Sequence, residues 1–133
     1  MSRQPKIGTI GWVDLTVKDC PEVRDFYQAV VGWERAPVDM DGYDDFSMIP
    51  PSGGEAVAGI CHARGINASV SAQWLIYISV ADVHASNAKR LELGGKLLIE
   101  PRDLGSYGTI CVIQDSSGAV AALQSPSFVS AGG

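Results

Sequence analysis

The chain has 133 residues, 46% of them hydrophobic and 19% charged, which is the balance of one globular domain able to bury a core without staples. A formal net charge of -5 with no basic stretch argues against nucleic acid or an anionic membrane as partner, and no apolar run approaches the roughly 18 residues of a membrane span. Three cysteines, Cys20, Cys61 and Cys111, without a Cys-x-x-Cys spacing read as reduced thiols, and a polar start with no apolar signal core completes the expectation of a cytoplasmic protein.

Trp12 to Val17 alternates, Val13, Leu15 and Val17 on one face and Trp12, Asp14 and Thr16 on the other, so a strand is predicted there. Asp19-Cys-Pro-Glu22 then offers a capping aspartate, a first-turn proline and a glutamate for a capping box. A helix over about 20–31 follows, with Val23, Phe26, Tyr27, Val30 and Val31 as its apolar stripe and Gly32 as its left-handed stop. Asp41-Gly42 predicts a hairpin between Arg35–Val38 and Tyr43–Ile49, its acidic flanks read as solvated charges. Pro50 to Gly54 is a second turn before a strand through Val57 and Ile60.

After a crossover from His62 to Ala72 the order returns: a strand from Trp74 to Val80, a helix from Asp82 to Leu93 stopped by Gly94, and strands at Lys96–Glu100, Thr109–Gln114 and Ala119–Leu123. The tail from Ser125 is expected to fray. Val17 and Val80, Asp19 and Asp82, and Gly32 and Gly95 are each 63 residues apart, so the chain reads as two βαβββ modules, about 7–61 and 73–124. Two copies are too few for a solenoid, and a pocket is expected where paired modules meet.

This repeat, with Asp115-Ser-Ser-Gly118 before the final strand, resembles the vicinal oxygen chelate superfamily of glyoxalases, bleomycin-resistance proteins and extradiol dioxygenases. The resemblance implies an α+β glyoxalase-like fold in one domain, curved sheets around a cavity and helices outside. It also implies a divalent metal held by a His on each module's first strand and a carboxylate on its last. The matching positions here are Trp12 and Ala58, then Leu75 and Ala122, and no neighbour of these offers a ligand. The expectation is therefore no metal and no other cofactor.

Asp14 shares a strand face with Trp12 and is a candidate general base, or else orders the strand through hydrogen bonds. His62, with Arg64 and Asn67 close behind, can gather at a rim to hold a carboxylate or phosphate, or the loop can simply be stitched by these groups. Tyr77 stands on the matching face of the second module, so Trp12, Arg64 and Tyr77 are the expected ligand contacts, and Asp14 and His62 the expected catalytic groups. His84 reads as a solvated helix-start residue. Neither a Walker loop, a dinucleotide fingerprint nor a serine-hydrolase elbow occurs. Three functions compete: a metal-free binder of a small molecule, of the bleomycin-resistance kind; a lyase or isomerase shifting a proton with Asp14, Tyr77 or His62; and a module acting only through partners. A homodimer is expected.

Overall fold

A computed structural model describes residues 6–126. The chain runs β1 (Ile10–Val17), α1 (Cys20–Val31), β2 (Glu34–Asp39), β3 (Asp44–Ile49), β4 (Ala58–His62), β5 (Trp74–Ser79), α2 (Val83–Glu92), β6 (Lys96–Asp103), β7 (Thr109–Gln114) and β8 (Val120–Ser125), with short 3-10 turns at Gly65–Ser69 and Gly105–Tyr107. Two βαβββ modules are thus present, in the order the repeat predicted. Residues 12–74 form one compact unit, and the described residues up to 11 and from 75 onward form the other.

Both modules wind their strands alike. In the first, the order is β2-β3-β4-β1, with β1 parallel to β4 and the remaining neighbours antiparallel. In the second it is β6-β7-β8-β5, with β5 parallel to β8. The parallel registers coincide: Leu15 lies opposite Ile60, and 63 residues later Ile78 lies opposite Leu123. Parallel neighbours need a crossover, and α1 and α2 head those crossovers. The segment before β1 adds to β5, where Gly8 N–H donates to Ser79 O at 2.7 Å and Ser79 N–H to Thr9 O at 2.9 Å.

Helix α1 begins and stops where its sequence indicates, since Pro21 sits in the first turn and Gly32, at φ +88°, donates its N–H to Gln28 O. Asp19 differs from expectation. Its side chain makes no capping bond, and its carbonyl accepts from Val23 N–H instead. The apolar stripe is also narrower than predicted. Cys20, Val23 and Tyr27, spaced i, i+3 and i+7, face the sheet, whereas Phe26, Val30 and Val31 are exposed. Helix α2 is capped as predicted, Asp82 Oδ1 accepting from His84 N–H at 2.9 Å.

The first core gathers Cys20, Met48 and Ile60, all wholly buried, with Tyr27, Trp33 and Trp74 stacked around it at centroid separations of 5.2–6.1 Å. Burial of Met48 and Ile60 contributes roughly 1.5–3 kcal/mol each. The second core is Val83, Cys111 and Leu123. Strand β6 runs to Asp103 rather than Glu100, its register shifting between Leu97 and Ile99 and again between Ile99 and Arg102. As an outermost strand it accommodates Pro101. Ser125 is not frayed: it ends β8, is buried, and its Oγ accepts from Val83 N–H at 3.1 Å. Residues 127–133 lie outside the described part.

Between β7 and β8, Asp115 Oδ1 accepts from Ser117 N–H at 2.8 Å, from the Ser117 hydroxyl and from Ala119 N–H at 3.1 Å. The Ser117 hydroxyl, followed by the two amides, holds this carboxyl below its ordinary value. A lowered folded-state pKa stabilises the turn above the unfolded value and loses that effect as pH falls through the folded one. NMR titration is expected to place Asp115 below the ordinary carboxylate range, and Ser117→Ala to raise it. An unmoved midpoint in that variant would contradict the assigned cause.

Candidate functional site

The family's metal positions can be judged on the strands themselves. Ala58, Leu75 and Ala122 are buried apolar residues. Trp12 turns its indole toward Gly59, where an added Cβ would stand 3.4 Å from Trp12 Cζ2 and 3.6 Å from Nε1. Nothing in that set donates a pair of electrons to a divalent cation, so these positions do not fit the metal that the fold family uses.

What the face offers instead is a floor of minimal bulk under an aromatic and a carboxylate. Asp14 lies opposite Gly59 in the parallel ladder and Thr16 opposite Cys61. A Cβ on Gly59 would come within 3.1 Å of Asp14 Cβ. Asp14 therefore stands on the face away from Val17, which packs against α1 through Cys20. This is where alternation put it. Burial pushes the Cys61 thiol up, with Asp14, Asp45 and Cys20 and a hydrogen bond to Asp45 adding to the effect, so it stays neutral.

His62, the last residue of β4, is turned the other way. Its backbone N–H donates to Asp45 Oδ1 at 2.8 Å, and its Nδ1 lies 3.1 Å from the same oxygen. Tyr43 meets the imidazole edge-on at 5.3 Å between centroids, and the Arg64 guanidinium lies 3.9 Å from the Tyr43 ring centre. His62 and Arg64 are thus linked through one aromatic ring. The side chain of Asn67 lies outside the described residues. Tyr77 is in β5, opposite Ala122, within the other compact unit, and His84 is exposed.

Asp45 was missed in the sequence, where the run from Asp39 to Asp45 reads as solvated charge. It is 7% exposed. Cys20 was also passed over. Its thiol donates to Ile60 O at 3.6 Å, and burial, with the Asp45 carboxylate adding and Arg24 opposing, pushes it up to about 11. The ligand atoms of Cys20, Asp45 and His62 all lie within 4.8 Å of one another. Only the adjacency of Asp45 to the alternating strand Phe46-Ser-Met48 hinted at its burial.

The profile of the Glyoxalase/Bleomycin resistance protein/Dioxygenase superfamily matches residues 9–123. Among curated relatives, the protein named Putative glyoxylase CFP32 from Mycobacterium tuberculosis is 30% identical over 120 residues, 90% of this chain and 44% of the relative. The anthracycline biosynthesis protein DnrV of Streptomyces peucetius is 32% identical over 96 residues, 72% of this chain and 34% of the relative. The chain thus spans less than half the length of these relatives. Methylmalonyl-CoA epimerase from M. tuberculosis has a similar fold, with TM-score 0.60 and 18% identity, covering 100% of this chain and 97% of that one. The Mn(II)-bound glyoxalase from Novosphingobium aromaticivorans gives 0.57 at 20% identity, covering 90% of this chain and 39% of that one. No helix among the described residues is long and apolar enough to cross a membrane.

Proposed function

Because the chain belongs to the glyoxalase/bleomycin resistance protein/dioxygenase superfamily, we propose that it is a small-molecule-binding domain of the bleomycin-resistance kind, with no metal at the family's ligand positions. The observation that carries this is the strand face above Gly59. The Trp12 indole packs onto Gly59, where an added Cβ would come within 3.4 Å of Trp12 Cζ2 and 3.1 Å of Asp14 Cβ. The glycine thus seats the ring, and the strand face presents an aromatic and an acidic residue side by side to a flat or partly apolar ligand. The exposed strip Phe26, Val30 and Val31 of α1 supports a homodimer. Light scattering that finds only monomer at high concentration counts against that part.

Native mass spectrometry of the purified chain tests the binding reading, since a carried molecule is expected. Trp12→Ala is expected to weaken it by about 1–3 kcal/mol through lost apolar burial. Affinity unchanged by that substitution would move the site elsewhere.

A second reading, a lyase or isomerase that moves a proton, is supported by the place of Asp14 on the same face and by the fold shared with epimerases. Asp14→Asn keeps the shape and removes the base, so turnover of a discovered substrate should fall by about 10²-fold or more while binding persists. Full turnover in that variant excludes Asp14 as the base.

A further inference from the structure

The fold itself does not require Cys20, Asp45 and His62. The internal repeat provides the comparison: applying the shared register, Cys20 corresponds to Val83, His62 to Ser125, and Asp45 to Ile110. There the β7–β8 ladder runs its full length to Thr109 opposite Ser125, and the corner closes with one bond from Val83 N–H to Ser125 Oγ. In the first module the β3–β4 ladder stops at Phe46 opposite Ile60, and the Asp45 carboxylate takes the His62 N–H. Ladder pairing is thus replaced by a buried carboxylate, an arrangement that the other module does without.

A buried carboxylate needs a counter-charge, and buried charges are paired or coordinate metals. Among the described residues no lysine or arginine pairs with Asp45; its partners are His62, which balances the charge only when protonated, and the Cys61 thiol. We infer that Cys20 Sγ, Asp45 Oδ1 and His62 Nδ1 form a three-ligand site for a borderline-soft divalent cation such as Zn²⁺. The three residues come from separate elements, the start of α1, β3 and the end of β4; one ligand atom of each lies within 4.8 Å of the others, and Asp45 Oδ1 is 3.1 Å from His62 Nδ1. Ligand atoms around tetrahedral zinc sit about 2.0–2.3 Å from the metal, so the three groups draw together around the ion when it binds. Three protein ligands leave a fourth position for water or another molecule. The site is separate from the family's ligand positions and from the Trp12–Asp14 face, and it stands whether or not that face binds a ligand.

Co²⁺ titration of the metal-stripped full chain is the test, because a cobalt–thiolate bond gives a near-ultraviolet charge-transfer band. About one Co²⁺ per chain is expected, displaced by Zn²⁺. The band should vanish in Cys20→Ser and Co²⁺ affinity should fall at least tenfold in Asp45→Asn and His62→Gln, with Cys111→Ser, another buried thiol, behaving as the parent. Circular dichroism identifies any variant that fails to fold. Were one to fail, protection of Cys20 from alkylation by Zn²⁺ in the parent chain replaces it. Absence of a thiolate band in the parent, a band that survives Cys20→Ser, or alkylation of Cys20 unaffected by Zn²⁺ overturns the assignment.

Discussion

Replacing Gly108 by alanine is expected to destabilise the protein by roughly 2–6 kcal/mol, the sum of a backbone term and an overlap term of about 1–3 kcal/mol each. Gly108 has φ +82° and ψ -161°, a conformation essentially confined to glycine. A Cβ there would also overlap the carbonyl oxygen of Ser125. That oxygen cannot readily retreat, since Ser125 is held in the ladder opposite Thr109 and its hydroxyl caps Val83. Gly118→Ala separates the two terms, because Gly118 has φ +92° but its nearest neighbour, Gln114 Nε2, is 4.0 Å from the added atom. Urea unfolding should show the Gly108 variant losing clearly more than the Gly118 variant. Equal losses would mean that the Ser125 contact relaxes freely.

Local chemistry explains which features were legible in the sequence. The bounds of α1 follow from Pro21 and Gly32, both acting within a few residues of the helix end. β7 matches its predicted span, and the β2–β3 hairpin turns at Asp41 and Gly42, both at positive φ. The repeat with its spacing of 63 residues reappears as a common strand register. Features that depend on distant partners were not legible. Ser125 looks like the start of a tail until Val83, 42 residues away, donates to it. Asp45 looks solvated until β4 brings His62, 17 residues on, against it. Phe26, Val30 and Val31 extend a helical stripe in sequence, but only the Cys20–Val23–Tyr27 side meets the core. The candidate site divides the same way: alternation placed Trp12 and Asp14 together, whereas the thiol, carboxylate and imidazole cluster depends on three separate elements.

Met48→Ala is expected to cost about 2–5 kcal/mol, the range for truncating a fully buried methionine and leaving a cavity. Met48 is wholly buried, in one cluster with Cys20 and Ile60, and it sits opposite Ala58 in the β3–β4 ladder. Ala58 is small, so it cannot fill the space from across the ladder, and the stacked rings of Tyr27, Trp33 and Trp74 are held edge-to-face or tilted against one another rather than free to collapse inward. Met48→Leu nearly preserves volume and should cost less than about 1.5 kcal/mol, while Met40→Ala, at an exposed position, should stay within about 0.5 kcal/mol of the parent. Denaturant midpoints at constant slope measure all three. A Met48→Ala protein as stable as the Met40→Ala one would show that the first core is plastic. The same strand pair carries Asp45 and His62, so hydrogen exchange at the His62 amide, bonded to Asp45, should quicken in the Met48 variant as the ladder beneath it loosens.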